Sequence, residues 1–375
     1  GAAHFRVCPE EGDPDREERT PAVRFEFGPG NLIEKWSIDG DRQVLAGALL
    51  QPLVVEDEGD SWGTGLWSYR RIAGSFSPDK PGLKIIESGP VRTVYEAHFT
   101  YNHSRIVMQT FAYADWPVLE FRLQIHWNEP RKRLKLSLPT ILKNGSFVGE
   151  IPGGIIERPA DGQEHVHGRW CLVEGSIGGK KSAMGIAHTG CHGLDFKDGE
   201  LRLSVLRSAV YCHEKGFNLG SFPSPKLMDM GEHDIRLLAI CGDPKEVKRR
   251  MPGLADRLSA PPLVYSHLPH GGFTTDRDAI HISRSGFVFQ NVLTLSPANV
   301  RLLTCKRSAD GRALILRIQE ATGESTEADI SISHPKTPLF RPDIRFSILL
   351  ESLEIKTLRI EKYGDGLEVG LVEED

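Results

Sequence analysis

From residue 119 to residue 127 the chain reads LEFRLQIHW, which sets Leu119, Phe121, Leu123, Ile125 and Trp127 on alternate positions with Glu120, Arg122, Gln124 and His126 between them. A repeat of two is the period of a strand with one dry face and one wet face, and an α-helix cannot bury such a set on one side. The same rhythm recurs along nearly the whole chain. VRFEFGPGNLIEKWSIDG alternates Val23, Phe25 and Phe27 and turns at Gly-Pro-Gly. VRTVYEAHFTY puts Val91, Thr93, Tyr95, Ala97, Phe99 and Tyr101 on one side, and RIVMQTFAY follows after the short turn Asn102-His103-Ser104. Connections this short predict neighbouring antiparallel strands. Two strands flank WNEPRKR, and ELRLSVLRSAVY, HDIRLLAI, RALILRIQE, ADISIS and IRFSILLESLEIKTLRI continue the pattern. The polar positions of 119–127 are expected to form a solvated face or to line a groove, because alternation alone demands only half burial.

Helical text is confined to DPKEVKRRMPGLADRLS, where Val247, Met251, Leu254 and Leu258 share a helical face. Pro252 inside it predicts a break or kink, and so one or two short helical turns. SAPPLVYSHLPHGG, which follows, reads as a linker. The fold class is therefore all-β. It is expected to comprise a lead-in over residues 1–22, a large antiparallel sandwich over 23–262, a linker over 263–280 and a smaller β-sandwich over 281–375.

Forty-six Lys and Arg against 51 Asp and Glu give a net charge of -5, so no basic field is available for gripping phosphates and no nucleic-acid partner is expected. No apolar run approaches the length of a membrane span, and the first twenty residues lack the apolar core of a signal peptide. The six cysteines are scattered without a Cys-x-x-Cys pair. They read as buried or half-buried free thiols, which suits a cytoplasmic location. The glycosylation acceptors at Asn102 and Asn144 read as chance.

Several motifs invite chemistry. GSIGGKKS has Lys181 where a phosphate loop needs its Mg²⁺-binding hydroxyl, and it reads as a Gly-rich turn between strands. HVH sets His165 and His167 two apart, a feasible metal pair, but the sequence supplies no third ligand at zinc spacing. Asp57, Glu58, Asp60, Glu87, Glu129, Glu150 and Glu157 are carboxylates of the kind glycoside hydrolysis pairs, and no spacing selects two of them. DSWGTGLWSY gathers Trp62, Trp67 and Tyr69 beside Asp60 and glycines. Indole faces near turns are surfaces on which a pyranose stacks; the competing reading is a strand end whose tryptophans plug the sandwich.

Seven phrases in order then carry a resemblance: GDSWGTGLWSYRRIAGSF, IIESGPVRTVYEAHFTYNHSRIVMQTFAY, VLEFRLQIHWNEPRKRLKLSLP, EIPGGIIERPADGQEHVHGRW, LRLSVLRSAVY, MDMGEHDIRLLAI, and NVRLLTCKRSADGRALILRIQEATGE with LEIKTLRI. Together they resemble the C-terminal β region of family 38 glycoside hydrolases, the retaining α-mannosidases. Glu87 to Arg92 is similar to that family's ESGPVR-like strand. Trp127-Asn128-Glu129 is similar to its W-x-E turn, Glu157-Arg158-Pro159 to its G-x-x-E-R-P phrase, and Lys306 through Glu320 to its late strand pair. The likeness runs from about residue 23 to about residue 362.

The resemblance implies a super-sandwich like that of galactose mutarotase followed by a smaller β-sandwich. It implies a zinc-dependent parent enzyme acting on mannosides, whose zinc ligands and catalytic carboxylates lie in an N-terminal domain and a helical bundle outside this chain. No catalytic residue and no metal ligand carries over to any position here, so this chain alone is expected to be inactive and to bind no zinc. It is expected to be part of a longer protein, to pack against that absent catalytic domain and to wall its sugar site, with a homo-oligomer possible in principle. Trp62 and Arg317 are the candidates for reaching substrate. The rival reading is a free-standing carbohydrate-binding or aldose-epimerase-like sandwich, for which His165, His167 and Glu157 are the nearest acid and base candidates. A third reading is a purely structural assembly module.

Overall fold

A computed structural model describes residues 22–59, 61–63, 65–80, 82–211, 226–262, 293–332, 344–361 and 367–369. The expected lead-in, apart from residue 22, and the expected linker lie outside these residues, as do Asp60, Cys8 and Cys212. The chain divides into two compact units, Gly1–Leu258 and Ser259–Asp375.

In the first unit the alternating text becomes antiparallel sheet. Ten strands form one sheet, in the order Gly154–Pro159, Ser146–Ile151, Trp170–Ile177, Lys180–His188, Gly231–Gly242, Leu119–Trp127, Ser104–Tyr113, Arg92–Tyr101, with Ser77–Pro78 and Lys84–Ser88 both on the far edge of the last. Six strands form a second sheet, in the order His165–Val166, Gly193–Lys197, Glu200–Arg207, Lys132–Pro139, Gln51–Glu56, Ile72–Ser75. Arg24–Phe27, Ile33–Ile38 and Arg42–Gln43 make a small third sheet. The inward residues of both large sheets meet in one core: Phe121, Leu123, Ile125 and Trp127 from one, Leu134, Leu136, Phe196 and Leu203 from the other. That is the sandwich solution to hiding one face of each sheet.

The Gly-rich turn is as expected. Gly178 and Gly179 both have positive φ, 57° and 81°, the conformation a tight hairpin between Trp170–Ile177 and Lys180–His188 requires.

The helix differs from expectation. Residues Pro244–Ser259 form one uninterrupted helix with Pro252 in its interior. Asp243 caps it, its Oδ1 accepting from the amides of Lys245 and Glu246 at 3.0 and 3.3 Å, and Pro244 occupies the first turn, where a missing N–H costs nothing. Pro252 removes one internal hydrogen bond, but Val247, Met251, Leu254, Ala255 and Leu258 are buried against Trp170, Leu172, Ala183, Ala187, Leu238 and Ile240 of the ten-stranded sheet. Tertiary burial of that stripe holds the helix through its proline. Gly185 makes the close approach possible: a Cβ there would lie 2.4 Å from Met251 Sδ and 3.0 Å from Val247 Cγ1.

The second unit pairs Leu293–Ser296, Thr326–Ile332 and Ile344–Leu350 in one sheet and Val300–Arg307, Ala313–Glu320, Ile355–Glu361 and Leu367–Val369 in another. Leu316, Ile318, Ile330, Leu350, Leu358 and Ile360 form the core between them. Among the described cysteines, Cys171 and Cys191 are buried and Cys241 is half-buried, while Cys305 is exposed, contrary to expectation, because it sits on an outward position of Val300–Arg307. No described helix is long and apolar enough to cross a membrane.

Candidate functional site

The outer face of the six-stranded sheet carries a dense network of buried ion pairs among the described residues. Lys135, between Leu134 and Leu136 on Lys132–Pro139, reads in sequence as a wet position but is 0% exposed. Its Nζ donates to Glu164 Oε2 at 2.5 Å and to Asp195, which is itself fully buried. Arg70 reaches Asp195 and, at 2.9 Å, Glu200. Arg133 donates to Glu164 Oε1 at 2.9 Å, Arg202 pairs with Glu200 at 2.7 Å, and Ser137 and Ser204 donate to Glu200 and Glu164. Burial works to raise the Glu164 carboxyl, yet Lys135 and Arg133 outweigh it and hold the group below the usual range. At Asp195 burial dominates and the shift is upward.

This network is the floor under the DSWGTGLWSY segment. Asp57, 1% exposed, accepts from Arg207 Nε at 2.6 Å and Nη2 at 3.1 Å, from Arg133 Nε at 3.4 Å and from the amide of Gly59 at 3.2 Å. Arg207 also donates to the carbonyl of Ser61, Ser61 donates its amide to Val210, Glu164 donates its amide to the carbonyl of Trp67, and Ser68 Oγ donates to the carbonyl of Gly162. Tyr69 is the plug of the segment. It packs with Leu53, Val55 and Leu66 and has two guanidinium groups near its ring, Arg133 and Arg207, and burial raises its phenol despite both cations.

Anchored this way, the segment turns its indoles outward: Trp62 is 69% exposed and Trp67 is 74% exposed. They are not plugs of the sandwich, which was the competing reading. Tyr211, next to the hydrogen-bonded pair Ser61 and Val210, adds a third exposed ring. The three exposed rings thus lie on segments hydrogen-bonded to a charge-paired base. Asp57, Glu164, Asp195 and Glu200 are each tied to cations.

The other sequence candidates are dispersed. Glu58 pairs with Arg71 and Glu87 with Arg92, while Glu150 pairs with Arg169. Glu157 accepts from Ser146. Glu129 is buried, accepting from Asn102 Nδ2, the His103 amide and Ser104 Oγ, and so fixes the turn at 102–104. Arg317 lies in the second unit on Ala313–Glu320, donating to Thr357 Oγ1 at 3.0 Å. It belongs to a different unit from Trp62.

His165 and His167 take separate partners. His165 bonds Asp161 at 3.0 Å, whereas His167, 3% exposed, meets His188 Nε2 to Nε2 at 2.7 Å. His188 Nδ1 accepts from the amide of Cys191, so the His188 proton is on Nε2 and points at His167. Burial lowers both imidazoles, His167 to about 4. Among the described residues no group of three or more His, Cys, Asp or Glu could hold a metal ion, and this pair spends its facing nitrogens on each other. The donor sets among the described residues do not fit a zinc ion.

The polar side of Leu119–Trp127 has two characters. Glu120 is buried under Tyr113, Arg122 and Arg236, while Gln124 is exposed and His126 bonds Glu232 at 2.6 Å. Burial and the bond to Glu120 push the Tyr113 phenol up to about 12.

Residues 19–225 match the family described as Glycosyl hydrolases family 38 C-terminal domain. Alpha-mannosidase G of Dictyostelium discoideum is 23% identical over 327 residues, which is 81% of this chain and 27% of that protein. An alpha-mannosidase from Enterococcus faecalis V583 superposes with a TM-score of 0.65 at 14% identity, over 90% of this chain and 41% of that one. A glycosyl hydrolase family 38 protein from Enterococcus faecalis gives 0.64 at 15% identity, over 90% and 43%. The chain thus spans less than half the length of these relatives, and at such identities the structural likeness speaks for the fold.

Proposed function

The chain belongs to the family of glycosyl hydrolase family 38 C-terminal domains, and on that premise we propose that it is the β region of a zinc-dependent retaining α-mannosidase, supporting a catalytic part and bordering its sugar site with the Trp62 and Trp67 segment. The observation that carries the sugar-facing role is the pair of exposed indoles on a loop clamped by Asp57, Arg207 and Tyr69. A pyranose presents C–H faces that an indole stacks on. Zinc, where the parent carries it, supplies electrostatic grip on sugar hydroxyls; this chain contributes no ligand to it and is inactive alone. Its own residues hold the rim and exclude water from one side of the site.

Of the candidates for the epimerase reading, His165 bonds Asp161, His167 a second buried histidine, and Glu157 accepts from Ser146.

The test uses an aryl α-mannoside with the longer parent protein and with this chain alone. The parent is expected to hydrolyse it in a chelator-sensitive way and the chain alone to leave it intact. Trp62→Ala and Trp67→Ala in the parent should raise KM about three- to tenfold with little change in stability. A parent inert toward mannosides, or a chain that hydrolyses them by itself, would sink the reading.

A further inference from the structure

His167 and His188 meet across the two large sheets. His167 follows His165–Val166, the two-residue edge strand of the six-stranded sheet, and His188 ends Lys180–His188 in the ten-stranded one. Main-chain bonds run beside the pair: the His167 amide donates to the carbonyl of His192 at 3.0 Å, the His188 amide to that of Arg169 at 2.9 Å, and the Gly168 amide to that of Glu150. The same segment carries Glu164, whose amide holds the carbonyl of Trp67 at 2.8 Å.

The pair has no place for another proton. His188 gives its Nε2 proton to His167 and takes the Cys191 amide on Nδ1. The neutral His167 therefore carries its own proton on Nδ1, a buried atom with no hydrogen-bond partner among the described residues. A proton added to His188 lands opposite the Cys191 N–H, and one added to His167 lands opposite the Nε2–H of His188. Either event breaks a bond and sets a charge on rings at most 3% exposed. Glu164 attracts a charge on His167 but is already shared between Lys135 and Arg133. Glu150, next to the Gly149 that packs on His167, is paired with Arg169, and Asp161 is bonded to His165. His192, whose ring lies 5.8 Å from that of His188, works against a charge on either ring. Cys191 and Cys171 are thiols that burial keeps neutral.

We propose that His167 and His188 form a proton-operated latch: in acid the pair separates, residues 164–168 leave the turn at 188–192, and Trp67 loses the Glu164 amide that holds it. The closed pair is neutral, so the open state gains protons as pH falls from 6.5 toward the lowered His167 value of about 4. That acid thereby loosens a sugar-facing rim rests on the function proposed above; the opening itself does not.

Hydrogen exchange of the chain, read by mass spectrometry and corrected for the intrinsic pH dependence of exchange, tests the latch. From pH 7.5 to pH 5.0, protection in peptides covering 161–169 and 65–69 should fall by about tenfold or more. That exchange should respond weakly to low urea, because a local opening exposes little surface, whereas exchange in Leu119–Trp127 should follow urea steeply. The double variant H167F/H188L should lose the pH dependence, and H165Q, which removes the neighbouring titratable ring, should keep it. Should the double variant fail to fold, wild type and H165Q still decide. Protection unchanged at pH 5.0 overturns the proposal, as does a urea dependence as steep as that of Leu119–Trp127, a pH effect abolished by H165Q, or a folded double variant that retains it. The measurement uses no mannoside, so a failed latch leaves the proposed function standing, and a parent inert toward mannosides leaves the latch standing.

Discussion

The guanidinium of Arg133 lies over the ring of Tyr69, its carbon 3.6 Å from the ring centroid, while Arg207 approaches the same ring at 5.7 Å. The ring therefore ties the outward-facing tryptophan segment to the charged floor. Tyr69→Phe keeps that contact and should change stability by less than about 1 kcal/mol, whereas Tyr69→Ala should cost about 3 kcal/mol or more. Urea denaturation of the two variants decides it. Equal losses would mean that the hydroxyl rather than the ring holds the segment.

Lys135 is the most committed charge in the floor. Lys135→Met fills the same space but leaves Glu164 and Asp195 short of a cation in a buried setting, and a loss of about 3 to 5 kcal/mol is expected. Thermal and denaturant unfolding measure it, and a loss below about 1 kcal/mol would show that Arg70 and Arg133 suffice.

Acid should weaken the fold before the carboxylates titrate. His167 and His188 are neutral in the folded chain, with His167 lowered from 6.5 to about 4 and His188 also lowered. Between those values the unfolded chain binds more protons than the folded one, so stability falls as pH drops from 6.5 toward 4. His167 alone accounts for about 3 kcal/mol of that fall. Glu164, Glu120 and Glu200, whose carboxyls are lowered from 4.5, add to the loss only below that value. Denaturant midpoints from pH 7 to pH 4.5 should slope downward in wild type and less steeply in His167→Phe, where His188 remains buried.

In the second unit Glu320 is 0% exposed and gathers six donors. Its two oxygens accept from Asn299 Nδ2, Thr322 Oγ1 and the amides of Thr322, Gly323, Glu324 and Leu353 at 2.6 to 3.1 Å. Glu320→Gln sets two N–H groups against amide donors, and a cost of about 3 kcal/mol is expected from unfolding experiments. An unchanged midpoint would show that these amides find other acceptors.

The strands were legible because alternation is local: Tyr95, Ala97 and Phe99 announce a dry face within a single run. Sheet membership was not. Leu119–Trp127 and Lys132–Pro139 are separated by four residues yet belong to different sheets, and the change of sheet is made at 128–131, where Arg131 takes a positive φ of 55°. Nothing in the spelling of WNEPRKR distinguishes that from a hairpin. Trp62 and Trp67 were legible as a glycine-flanked aromatic cluster, but Tyr69 was grouped with them although it faces the opposite way. Lys135 and Asp195 were missed altogether, because a buried ion pair between separate strands leaves no periodic trace. Pro252 misled for a related reason, since packing between the helix and the sheet outweighs a local penalty.

Leu119–Trp127 is paired without a slip along both neighbours, Gly231–Gly242 on one side and Ser104–Tyr113 on the other. Removing a single residue from it would carry Glu120, Arg122 and Gln124 into the space now filled by Phe121, Leu123 and Ile125, and turn those onto the outer face. A one-residue change inside this strand would therefore have to be absorbed by a bulge such as the one between Ile85 and Glu87, whereas a change of two keeps every side chain on its face.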